Sequence, residues 1–386
     1  MSTSHPPEAG RLATPSQRLL LRASLLEGET ALEAWRDWDR REVLEELDGA
    51  SDGLVGLLWR NLDAHGVEHE TMSKLKGVYR HTWFENQTVL RQAAIPIRAL
   101  RTAGIPTLAL TGATMCPLYY RDWGVRRMDD FDLLVPPDRA TDAMAALRAI
   151  GASPRMSNAE AWVPLRHSMP FRHPDGWQVD LHWYSLWRSA SDQAVWDHAV
   201  AVDVGGERIL APVPTHQLLL VCVQGADWAP SPSLRWLADA TFVIRAGDVD
   251  WDLLVEEADK RLVTVALGST LEYLRDTVDT PVADTVLRRL HQAHSPRFER
   301  TGFRQTSRQD GAVTTVFRVW ERQRRLKRLR PPGPTPPDLL RTYYDWLTLS
   351  SDGRPWLSLR RAGSSALRLA GRRLSAAKAA AAARLP

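Results

Sequence analysis

Hydrophobic residues change their spacing four times along this chain. Between Ser16 and about Leu62 they recur every three to four positions, as at Leu19, Leu20, Leu26, Leu32, Trp35 and Leu44. That is the period of helices with one buried face. A longer helix is predicted from about Glu70 to Ala103, with Leu75, Val78, Tyr79, Leu90, Ala93 and Leu100 turned inward. Pro96 should kink it, and Gly104 is placed to end it. The spacing then shortens. "IPTLALTG" (105–112) reads as a strand entering a glycine turn, and "FDLLV" (131–135) as a second strand. "PPDRATDAMAALRAIG" (136–151) is helical again, with Asp138 as a candidate N-cap and Gly151 as the stop. "HSMPFRH" (167–173) and "WQVDLHW" (177–183) flank the turn "PDG", the pattern of a hairpin. From about Val213 three stretches return to helical spacing: "PTHQLLLVCVQGADW", "SLRWLADATFVIRAG" and "DWDLLVEEADKRLVTVALGSTLEYLRDTV".

This order predicts an α+β fold: a small mixed β-sheet core flanked by an N-terminal helical segment and a C-terminal all-helical domain. The expected divisions are 1–16 without fixed structure, 17–104 helical, 105–212 the sheet core and 213–330 the helical domain. "PPGPTPP" (331–337) reads as a stiff linker, and 338–386 as a short aromatic helix with a basic tail.

Composition narrows the function classes. No run of 18 apolar residues occurs, and "MSTSHPPEAGRLATPS" lacks the apolar core of a secretory leader. Cys116 and Cys222 sit in apolar company and read as buried thiols, so a cytoplasmic location is expected. The net charge is +4, yet residues 353–386 carry eight basic side chains and no acidic one, leaving the remainder near −4. A second basic cluster, 318–330, holds seven basics and one Glu. Either cluster can contact nucleic acid or another anionic surface, or form a solvated helix face. Aromatic residues are sparse in both, so neither offers a base-stacking platform.

The chemistry concentrates at "RRMDDFDLLV" (126–135), where three carboxylates stand at the mouth of an apolar strand. Alternation along a strand puts Asp130 and Asp132 on one face and Asp129 on the other. Two carboxylates so placed suit Mg²⁺, which prefers oxygen ligands. Asp-x-Asp alone is also a common solvated strand end. Three neighbours strengthen the metal reading: the glycine turn at "LTGATM" (110–115), the adjacent Arg126 and Arg127, and Asp180 on a later apolar strand. His182 shares Asp180's face, where it can orient a ligand or serve as a hydrogen-bonded structural histidine.

This ordered set resembles the nucleotidyltransferase fold, and more closely the family of uncharacterised nucleotidyltransferases found in bacteria. The matching residues are Leu110, Gly112 and Ala113; Tyr120; Arg126; Asp130, Asp132, Leu133, Leu134 and Val135; and Asp180, Leu181, His182 and Trp183. "LRWLADA" (234–240) and the helical lead-in extend the resemblance over about residues 16–280. Where the family has Lys before the glycine, this chain has Thr111, and Asp129 replaces a usually small residue. The resemblance implies Mg²⁺-dependent transfer of a nucleoside monophosphate from an NTP to an acceptor, favouring a small molecule or peptide. Two Mg²⁺ ions would be held by Asp130, Asp132 and Asp180, the last also accepting a proton. Thr111, Gly112, Ala113, Arg126 and His182 would contact the nucleotide. Toxin-like nucleotidylation of tRNA or protein, and nucleotide binding without catalysis, are the alternatives.

Overall fold

The computed structural model describes residues 13–128, 131–186, 191–227, 233–293 and 299. The expectations for 1–12, Asp129, Asp130, the basic cluster 318–330, the proline-rich linker and the tail lie outside them. The chain divides into two compact units, Met1–Met156 with His167–Gln309, and Ser157–Arg166 with Asp310–Pro386. In the second, the described residues contain one 3₁₀ turn, Ala159–Trp162.

The first unit opens with α1 (Pro15–Leu25), α2 (Gly28–Asp39), α3 (Val55–Ala64) and the long α4 (Met72–Thr102). Thr14 caps α1 in a reciprocal box with Gln17, so the helix begins two residues before the expected start. α4 continues through Pro96 and ends where Gly104 adopts φ +65°, with the Ile105 amide returning to the Leu100 carbonyl. Val78, expected inside, is exposed.

Next come β1 (Leu108–Ala109), α5 (Thr111–Met115), β2 (Asp132–Leu134), α6 (Ala140–Ala149) and β3 (Ser153–Pro154). β4 (Ser168–Arg172), β5 (Gln178–His182), α7 (Gln193–Asp197), β6 (Val200–Val204) and β7 (Glu207–Ala211) follow. The expected glycine turn after β1 is instead the first turn of α5, which passes into a π-helical turn at Cys116–Tyr120. Asp138 does not cap α6; it lies within a 3₁₀ turn, Pro137–Arg139, that leads into the helix. The sheet is mixed, in the order β3-β4-β5-β2-β1-β7-β6, with β2–β5 and β1–β7 parallel.

The remaining helices are α8 (Pro214–Asp227), α9 (Arg235–Arg245), α10 (Trp251–Arg261), α11 (Thr264–Val278) and α12 (Asp284–Gln292). Leu218, Leu219, Cys222 and Val223 of α8 join one apolar core with α1–α3 and α9–α12. Cys116 and Cys222 are free and buried, as expected. Among the described residues, no helix is long and apolar enough to cross a membrane.

Candidate active site

Strand register builds the site. In the parallel β2–β5 pair, Asp132 lies opposite Asp180 and Leu134 opposite His182, so alternation brings Asp132, Asp180 and His182 to one face. Antiparallel β4 places Ser168 opposite His182 on that same face. Ligand atoms of Asp132, Asp180 and His182 lie within 4.8 Å of one another. The His182 imidazole is the buried floor: its Nε2 is 3.2 Å from Asp132 Oδ1 and 3.4 Å from Asp180 Oδ2. The Ser168 hydroxyl donates to Asp180 Oδ2 at 3.1 Å. The two carboxylates remain 15% and 22% exposed, open enough to meet a ligand.

Burial alone would lower the pKa of His182. The Asp180 charge and hydrogen bonds to both carboxylates override it and hold the group well above its ordinary value. The clustered negative charge therefore calls for a cation, and an imidazolium answers part of that demand. Two carboxylates from neighbouring strands suit a hard divalent ion, and His182 orients both oxygens from beneath. The donor set fits magnesium through Asp132 and Asp180; Asp130 lies outside the described residues.

Arg126 takes a place that the sequence does not reveal. Its guanidinium is buried, with Nε and Nη2 donating to the two Asp239 oxygens at 2.7 and 2.8 Å. Nη1 donates to the Gly112 carbonyl at 3.1 Å, and Tyr120 donates to Asp239 Oδ1 at 2.8 Å. Direct neutralisation of a triphosphate does not match a guanidinium already spent on these partners. Its geometry instead joins α9 to the first turn of α5. Thr111 is likewise buried, its hydroxyl 3.4 Å from Gln224 Oε1 on α8, and Ala113 is buried beside it.

Asn86 of α4 fixes the approach to β2. Its amide donates to the carbonyls of Trp123 and Arg126 at 2.6 and 2.7 Å and accepts from the Met128 amide at 2.9 Å. Sequence spacing did not single out Asn86 or Ser168. Ser168's place on the Asp180 face is recoverable from the hairpin register, whereas Asn86 carries no local signal.

A mixed sheet with acidic residues in register at its centre is the architecture expected of a nucleotidyl-transferring protein. The chain belongs to the family described as uncharacterised nucleotidyltransferase, whose model matches residues 50–279. That span includes α4, the sheet, Arg126 and Asp239. The chain is also similar to a solved antigenic nucleotidyltransferase-like protein from Paracoccidioides brasiliensis, at 16% identity and a TM-score of 0.34. That match covers 53% of this chain and 92% of the other, and so distant a likeness does not constrain the fold. No curated protein matches the chain.

Proposed function

We propose that the protein transfers a nucleoside monophosphate from an NTP to an acceptor, a small molecule or peptide, with magnesium held by Asp132, Asp180 and, from the sequence motif, Asp130. The observation that carries this reading is the Asp132–Asp180 register across β2 and β5, with His182 beneath both. When bound by these carboxylates, magnesium (two ions in this reading) would supply neutralisation of the triphosphate charge. Asp180 Oδ2, steadied by the Ser168 hydroxyl, takes the proton of the acceptor hydroxyl or amine. The acceptor atom bonds to the α-phosphorus, the α–β anhydride bond breaks, and pyrophosphate leaves. Arg126 holds the Gly112 carbonyl, and with it the start of α5, for the phosphates to lie along. Family membership supports transfer in general.

Thr111, where the family has Lys, favours a second reading, nucleotide binding without turnover. The test is incubation with each labelled NTP, Mg²⁺ and a cell extract, with mass spectrometry reporting what gains a monophosphate. Asp132→Asn and Asp180→Asn should each lower turnover at least about 100-fold. NTP binding with no turnover on any acceptor would leave only the second reading.

A further inference from the structure

The first half of α4 presents a surface the proposed chemistry does not use. Residues 74–84, "KLKGVYRHTWF", contain three basic residues and three aromatic ones, and no carboxylate interrupts them. Leu75, Thr82 and Asn86 face inward, while Trp83 is 46% and Phe84 66% exposed. Tyr79, Arg80 and Trp83 line a shallow depression of about 260 Å³. The Lys76 ammonium lies 5.7 Å from the centroid of the Trp59 ring, which packs against Tyr79 at 4.2 Å. Cations and ring faces thus alternate over about 12 Å of helix.

We infer that this face of α4 binds single-stranded nucleic acid, with Trp83 and Phe84 stacking on bases and Lys76 and Arg80 meeting phosphates. The interleaving decides the class of partner. Protein interfaces gather their apolar side chains at the centre and deplete charge there, whereas a strand offers a phosphate beside every base. Positive charge among exposed rings complements that alternation. The helix also borders the candidate site: Glu85, next to Phe84, lies 3.7 Å from the Arg127 guanidinium, and Asn86 holds Met128, four residues before Asp132. The inference stands whether or not the protein turns over NTP.

The test is fluorescence anisotropy of the full chain with a labelled oligouridine and a labelled oligothymidine of equal length, over a salt series. Trp83→Ala with Phe84→Ala should weaken binding at least about tenfold, since each stacked base contributes a fivefold or larger factor. Lys76→Ala with Arg80→Ala should reduce the salt slope by about 1.4, two phosphates at roughly 0.7 each. Circular dichroism melts show whether these exposed variants keep their fold. Binding to either oligonucleotide that both double variants weaken supports the inference, and the stronger of the two tells RNA from DNA. No binding, or affinity unchanged in the aromatic variant because the basic tail supplies it all, overturns it. So does a Trp83- and Phe84-dependent dimer in sedimentation without oligonucleotide binding.

Discussion

Asp239 and Arg126 show how far a single residue can be read in isolation. In the sequence, Arg126 stands four places before Asp130 and reads as a phosphate contact; its partner is 113 residues away. Periodicity places Asp239 on a buried helix face, but nothing local says which cation neutralises it. Removing one member of a buried pair strands the other, so Asp239→Ala should cost roughly 3–5 kcal/mol in urea unfolding. The Arg126→Met, Asp239→Leu double substitution should recover much of that loss, because neither charge is left alone. If the single and double variants unfold alike, the pair is not what closes this part of the core. Asp132 and Asp180 were legible for the opposite reason: a strand's two-residue period fixes the face of each, although the parallel β2–β5 pairing that sets them opposite each other is made by the tertiary fold.

At the scale of elements, the strands that carry the site were readable and the β6–β7 edge was not. Val200–Val204 and Glu207–Ala211 do alternate, but Glu207 stands at a buried position and disguises the apolar face. Arg98 and Arg101 from α4 each approach its carboxylate to 2.7 Å and hold its pKa below the usual range. That compensation comes from a helix about one hundred residues earlier, beyond any local window. The hairpin turn makes the same contact tighter. Gly205 has φ +61°, and a Cβ there would lie 2.3 Å from the Leu90 carbonyl oxygen of α4. Gly206, at φ +82°, has open space around it. Gly206→Ala should therefore cost about 1 kcal/mol of backbone strain. Gly205→Ala adds a clash with backbone and should cost at least about 2–3 kcal/mol by chemical denaturation. Equal losses would mean that the hairpin and α4 separate readily.

For the whole molecule, two buried histidines set opposite limits of pH. His216 on α8 is fully buried, and among the described residues neither ring nitrogen has a hydrogen-bond partner. Burial, chiefly, lowers its pKa to about 4, with Arg261 and His198 assisting against Glu257 and Asp192. An unfolded chain takes up this proton near pH 6.5, while the native one refuses it until about pH 4. Stability is therefore complete above pH 6.5 and lost as pH falls toward 4, by at most about 3 kcal/mol. His182 carries the other sign. Its pKa is raised by Asp180 and Asp132, so its contribution is complete below pH 6.5 and declines as pH rises toward its folded value. The two effects meet near pH 6.5, which should be the stability maximum in metal-free buffer. Because α8 packs in one core with α9, α10 and α11, the acid loss is global rather than local. Urea midpoints measured with EDTA from pH 4.5 to 8.5 check this. His216→Leu should flatten the acid limb alone, and His182→Gln the alkaline limb alone. A profile in which either substitution flattens both limbs would show that the two histidines do not titrate independently.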